Sequence, residues 1–307
     1  GGPGGPGAPT QVVVPRFAGS KWTVGTPLGT GRLNGIAAFS TTNVVVGTGG
    51  TIFAGITPAT TVAQTNPAVP ADLNAVNYGG LGFLAVGAAG TIVYSTDSTT
   101  WVTQTSGTIA ILNAIASVGT GAYVAVGTAG TALFSTNGTT WISAASATTQ
   151  DLYGAIYGAG LYVAVGAGGT IMTSADGTTW TAQVSNTTND LRAVSLGVFT
   201  TVTGTGLTAV VTNTNLYVAT GAAGTLLTSA DALTWTVRTP ISPTTMNAVS
   251  FGGQFVAVGD AGKIYTSLDG ISWTAQVSGT TNDLKALLRT TTGYTAVGAA
   301  GTVLTSF

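Results

Sequence analysis

Three-residue runs, apolar apart from two threonines and each closed by a glycine, recur along this chain: Val44-Val45-Val46-Gly47, Leu84-Ala85-Val86-Gly87, Val124-Ala125-Val126-Gly127, Val163-Ala164-Val165-Gly166, Val218-Ala219-Thr220-Gly221, Val256-Ala257-Val258-Gly259 and Thr295-Ala296-Val297-Gly298. The glycines recur at a period of roughly 40 residues, with one longer interval between Gly166 and Gly221, and a fixed period of this length marks a repeat architecture. Two small residues, a second glycine and usually a threonine follow each run, as in Gly87-Ala88-Ala89-Gly90-Thr91. Glycine supplies the positive φ that tight hairpin turns need, so a hairpin is expected there. A second apolar run, a second turn such as Ser174-Ala175-Asp176-Gly177, and a strand opening on tryptophan come next. A polar connector then leads to another short strand, for example Leu191-Arg192-Ala193-Val194. Each period thus predicts four short strands and no helix.

The tryptophans keep a strict register. Trp101, Trp141, Trp180, Trp235 and Trp273 stand at one and the same offset from Gly87, Gly127, Gly166, Gly221 and Gly259, whereas Gly298 is followed only as far as Phe307. Trp22 precedes Gly47 by the interval that separates Trp141 from Gly166, as expected of a tryptophan that follows repeat seven and precedes repeat one. That phase predicts a ring, which leaves no open sheet edge. The expected fold is all-β, a seven-bladed β-propeller of four-stranded antiparallel blades. Its N-terminal strand around Trp22 completes the last blade by pairing near Val303. The blades are placed at 31–68, 71–108, 111–147, 150–187, 190–242, 246–281, and 283–307 with 20–26. Blade one is degenerate, with Pro58 in its second turn and Thr61 or Val62 at its tryptophan position.

Ser-x-Asp-Gly-x-x-Trp occurs at Ser174–Trp180 and Ser267–Trp273, with variants at Ser95–Trp101 (Asp97), Ser135–Trp141 (Asn137-Gly138) and Ser229–Trp235 (Asp231-Ala232). This resembles the Asp-box, or BNR, repeat of sialidase-like and photosystem II assembly-factor-like β-propellers, over nearly the whole chain. The turns are one residue shorter than the usual box. Asp97, Asn137, Asp176, Asp231 and Asp269 are read as turn formers whose side chains accept backbone N–H groups, with the tryptophans, Trp22 included, covering the turns.

Composition narrows the chemistry. Charged residues are 6% of the chain, all nine acids are Asp, and eight Lys and Arg leave a net charge of −1. Binding nucleic acid needs clustered cations, so it is not expected. With no Cys and no His, disulfides, thiolate or imidazole metal sites and imidazole catalysis drop out. No cofactor or metal is expected. Nor is a membrane span, since no apolar run approaches the roughly 18 residues that one needs. The resemblance implies a sialidase-type site with an Arg cluster and a Tyr–Glu pair, but the chain has no Glu. Asp72, Asp151, Asp190 and Asp283 each precede an innermost strand, and their recurrence argues for a strand-start role rather than the unlike pair that acid–base work requires. Asp260 is singular in its turn and is kept as a candidate ligand contact. So are Arg192 and Lys285, which occupy equivalent places on innermost strands.

Two segments depart from the repeat. An insertion near 197–213 lies between the first two strands of blade five, long enough for an extra hairpin and a partner contact. Residues 1–19 form a tail whose Gly1-Gly2-Pro3, Gly4-Gly5-Pro6 and Gly7-Ala8-Pro9 read as collagen-like triplets or as a flexible linker. The propeller itself occupies 20–307. Low charge, a Thr- and Gly-rich surface and this stalk-like start lead to the expectation of a non-catalytic structural or adhesive module. It would belong to an extracellular assembly (a virion or tail fibre, or a bacterial cell-surface filament), be homo-oligomeric, and contact itself, other surface proteins or glycans. The alternatives are a glycan-binding or glycan-hydrolysing propeller, favoured by paired carboxylates at the channel, and a partner-docking assembly factor, favoured by a concentrated charged or aromatic patch on one face.

Overall fold

The computed structural model describes residues 19–55, 62–64, 70–203 and 210–307. Seven four-stranded antiparallel sheets make up the structure. In chain order, blade one holds β2 (Leu33–Phe39), β3 (Thr42–Gly47), β4 (Ile52–Gly55) and β5 (Val62–Ala63). Blade two holds β6 (Leu73–Tyr78), β7 (Phe83–Gly87), β8 (Ile92–Ser95) and β9 (Val102–Gln104). Blades three to six repeat the plan with β10–β13 (Leu112 to Ser143), β14–β17 (Leu152 to Gln183), β18–β21 (Leu191 to Arg238) and β22–β25 (Met246 to Gln276). Blade seven takes β26 (Leu284–Arg289), β27 (Tyr294–Gly298) and β28 (Val303–Ser306), and its fourth strand is β1 (Trp22–Val24). Innermost strands neighbour one another in cyclic order, including β26 against β2. The ring is therefore closed.

The second strand of each blade is the most buried: Val124, Ala125 and Val126, or Val256, Ala257 and Val258, have no exposure. Their side chains alternate between the two faces of the blade, so each face packs on a neighbouring blade. Val163 and Val165 of blade four, for example, share a cluster with Leu191, Val194 and Tyr217 of blade five.

The second glycine of each turn has the expected positive φ, but the first does not. Gly87 is extended, with φ −170°. It is required because a Cβ there would lie 1.9 Å from the Asp72 carbonyl oxygen, and the equivalent distances at Gly127, Gly166, Gly221 and Gly298 are 1.9–2.0 Å. Positive φ falls on the second and third residues after Gly87, Ala89 at +53° and Gly90 at +68°, and Thr91 N–H donates to the Ala88 carbonyl at 3.0 Å. Two successive left-handed residues make a type I′ turn, whose twist matches that of the strands. Alanine holds the first of these positions in five of the seven turns, at Ala89, Ala129, Ala223, Ala261 and Ala300.

Ring closure uses the register of the other blades. Trp22, Thr23 and Val24 oppose Ser306, Thr305 and Leu304, as Thr181 opposes Thr173 in blade four. Gly25 N–H then donates to the Val303 carbonyl at 2.8 Å. Trp22 Nε1 donates to the Gly19 carbonyl, the bond each of the other repeat tryptophans makes three residues back. The last blade's turn site is therefore split, with Ser306 from one end of the sequence and Gly19 and Trp22 from the other. Pro58, Thr61, the triplets and most of the tail lie outside the described residues.

Deleting residues 20–26 should lower the thermal midpoint of the whole domain in one transition; an unchanged melt would refute closure by β1. Gly166→Ala should cost on the order of 3 kcal/mol, and Ala129→Gly should add roughly 0.5 kcal/mol by relieving left-handed strain, both read from chemical denaturation.

Candidate functional site

Antiparallel blades divide the ring's loops between two faces. On one lie the hairpins joining first to second strands and the Ser-x-Asp turns joining third to fourth. On the other lie the Ala-Gly turns and the starts of the innermost strands, around the mouth of the channel.

The Asp turns are built alike. In blade four, Asp176 Oδ1 accepts the Thr178 and Thr179 N–H groups at 2.8 and 2.8 Å and the Ser174 hydroxyl at 3.1 Å. Ser174 Oγ accepts Gly177 N–H at 2.9 Å, and Trp180 Nε1 donates to the Gly177 carbonyl. Asp97, Asp231 and Asp269 repeat the two backbone contacts. Asn137 does so with Thr139 and Thr140. Those N–H groups hold the Asp97 and Asp176 carboxyls well below the usual carboxylate range, and Asp231 is lowered in the same way. Burial raises Asp269, but the Ser272 and Ile271 N–H groups outweigh it. Trp101, Trp180 and Trp235 are buried, while Trp141 and Trp273 are partly so and pack on the core. The second strands contribute an aromatic that spacing did not single out. Tyr123, Tyr162, Tyr217 and Phe255 each lie 6.3–6.5 Å, centroid to centroid, from their blade's tryptophan. Tyr217 and Tyr294 hydroxyls reach back to carbonyls of the preceding blade, Gly158 and Gln254.

On the channel-mouth face the recurrent aspartates bridge blades. Asp72, Asp151, Asp190 and Asp283 accept the N–H of the left-handed residue in the preceding blade's turn: Gly49, Ala129, Gly168 and Ala261, at 2.8–3.0 Å. A second link lies one residue inside four of the seven innermost strands. Asn34, Asn74, Asn113 and Asn247 Nδ2 donate to the first carbonyl of the next blade's inner strand, from Leu73, Leu112, Leu152 and Leu284, at 2.9–3.0 Å.

Arg192 and Lys285 occupy that Asn position in blades five and seven. Lys285 Nζ lies 2.8 Å from Asp260 Oδ1 and 3.2 Å from Asp283 Oδ2, and Asp260 Oδ1 also accepts Asn247 Nδ2 at 2.8 Å. Arg192 pairs with Asp190 at 3.0 Å, and its guanidinium sits 4.1 Å above the Tyr153 ring. The structure therefore joins Asp260 to Lys285, candidates that stand in different repeats of the sequence. Arg192 stands in a separate pair on the same face, with Arg32 bonded to Asn34. The Ala261 N–H, Lys285 and Arg32 together hold the Asp283 carboxyl below its usual range. Two carboxylates thus share one ammonium, an arrangement of fixed opposed charges. Among the described residues, no helix is long and apolar enough to cross a membrane.

No protein-family model matches the chain, and no curated protein matches it. Solved structures do. YCF48 from Cyanidioschyzon merolae aligns at TM-score 0.68 and 17% identity, over 93% of this chain and 98% of that one. YCF48 bound to D1 peptide aligns at TM-score 0.69 and 17% identity, over 93% and 94%. The chain is a propeller similar to these, and at this identity the likeness carries the fold.

These neighbours correct the expectation of a structural or adhesive module in an extracellular assembly. The extracellular or virion location, the tail-fibre role, the homo-oligomeric habit, and the surface-protein or glycan partners are withdrawn with it. The threonine richness that supported that reading has an internal cause. Thr51, Thr170, Thr225 and Thr302 hydroxyls donate to carbonyls of their own turns at 2.6–2.8 Å, so part of the threonine content serves the turns themselves. The triplets that suggested a stalk lie outside the described residues.

Because the folded pKa of the turn aspartates is depressed, the stability they contribute is complete above the unfolded value of about 3.9 and is lost as pH falls through that value toward the folded one. Replacing Asp97, Asp176, Asp231 and Asp269 together by Asn, the residue blade three already uses, should leave the fold intact. It should also shrink the drop in thermal midpoint between pH 7 and pH 3, followed by circular dichroism. An undiminished drop would remove these turns as the cause.

Proposed function

We propose that this chain is a non-catalytic docking propeller that holds a segment of a partner protein against the channel mouth. The observation that carries this reading is the concentration of opposed charge there. In a chain with 6% charged residues, Arg32, Asp72, Asp151, Asp190, Arg192, Asp260, Asp283 and Lys285 all sit at the starts of innermost strands or in the turn beside them. Charges spaced around a rim select partners and steer encounter more than they add affinity. The similarity to a propeller solved with a D1 peptide supports the same reading. The Ser-x-Asp turns further support kinship with Asp-box propellers.

An array of immobilised 12-residue peptides that includes a D1 peptide would test this. Some sequences should bind with affinities that fall as salt rises and drop at least tenfold in the charge-swapped Asp260→Lys, Lys285→Asp protein. Retained binding in that variant, or turnover of a glycan panel by the unaltered protein, would overturn the reading.

A further inference from the structure

The insertion in blade five is a two-stranded ribbon rather than a separate hairpin. β18 (Leu191–Thr203) has 13 residues and β19 (Val210–Gly221) has 12, against 7 for β14 (Leu152–Gly158). At about 3.4 Å per residue the six extra residues carry it roughly 20 Å past the ring, on the face opposite the charged rim. After the bulge at Leu191/Ala193 the register runs unbroken from Ala193↔Thr220 to Thr203↔Val210. The third strand, β20 (Leu226–Ser229), pairs with β19 only from Tyr217 to Thr220. Among the described residues, the backbone from Val210 to Leu216 therefore pairs on one side only.

The base of the ribbon is fixed. Phe199 packs on Phe251 and Phe255 of blade six, with centroids 5.1 and 6.2 Å away. Gly197 allows this approach, since a Cβ there would meet the Phe255 ring at 2.5 Å. The base of the ribbon is thus held in place before anything binds, which lowers the ordering cost of association. Natural edges are usually protected by charge, proline, bulges or shortness. This one has none of these protections: no charged residue and no proline occurs between Ala193 and Ala230. Val198, Val210 and Val211 are 43%, 58% and 60% exposed, with exposed Thr200, Thr212, Asn213 and Thr214 among them.

We infer that the outer edge of β19, Val210–Leu216, is a second docking surface that takes an extended, uncharged polypeptide strand of a partner protein by main-chain pairing. The occupant follows from the chemistry of the edge. Open N–H and C=O groups recognise another backbone. Thr, Val and Asn neighbours favour small or β-branched cross-strand side chains. No fixed charge is present to receive an ionic one. This inference is independent of the rim, because it uses the opposite face and no charge.

The test uses a capped, fluorophore-labelled heptapeptide of alternating Thr and Val, read by fluorescence anisotropy. The control protein has residues 201–212 replaced by an Asn-Gly turn, which keeps Phe199 and the Thr200↔Asn213 pair; its thermal midpoint reports its folding. Saturable binding should weaken at least tenfold in the shortened protein and at least tenfold when alternate peptide amides are N-methylated. Absence of binding, or binding indifferent to either change, would overturn the inference. So would sedimentation as a ribbon-dependent dimer that excludes the peptide, which would give the edge to a second copy.

Discussion

At the channel end of every blade, backbone lies against backbone so closely that no side chain fits between. The carbonyl before each innermost strand nearly touches the Cα of the glycine closing the second strand, and a Cβ would come within 1.9–2.3 Å of that oxygen in all seven blades. A turn with two left-handed residues, Ala-Gly or Gly-Gly, follows each of these glycines. The turn then presents a left-handed N–H toward the next blade, where an aspartate meets it in four of the seven seams. Close approach within a blade and attachment between blades are therefore one construction. The extended glycines serve proximity, and the left-handed turn positions are separate residues, with alanine at the first of them five times.

Much of the ring could be read from the chain, because its signals are local and periodic. The glycine spacing gives the blade count, and the phase of Trp22 gives the closure. The Ser-x-Asp turns were legible because both partners of each hydrogen bond lie within three residues. Links across seams were not. Asp283 looked like a strand-start residue, but its partner is the N–H of Ala261, in the turn of the preceding blade. Asp260 and Lys285 were separately conspicuous, yet nothing in their spacing showed that they meet. The blade-five insertion had the length of an added hairpin, and only pairing shows it to be a continuation of both strands.

The two faces differ in kind. Around the channel mouth, scarce charges form pairs and bridges; on the other face, the blade-five ribbon stands without any. In blade five the inner strand carries Arg192 and Asp190 at its first end and uncharged β-branched residues at its far end. A single blade thus offers one surface suited to charge and another suited to backbone.

The split turn of blade seven bears on how the molecule is made. β1 is synthesised first but pairs with the last strand, so every other blade must emerge from the ribosome before its partner exists. Six blades can form from neighbouring segments as they appear, since their contacts are short-range in sequence. The closing sheet cannot, and long-range pairing of this kind slows folding. During that interval the nascent chain is an open arc with an unpaired strand at its leading end, a state exposed to association with other chains.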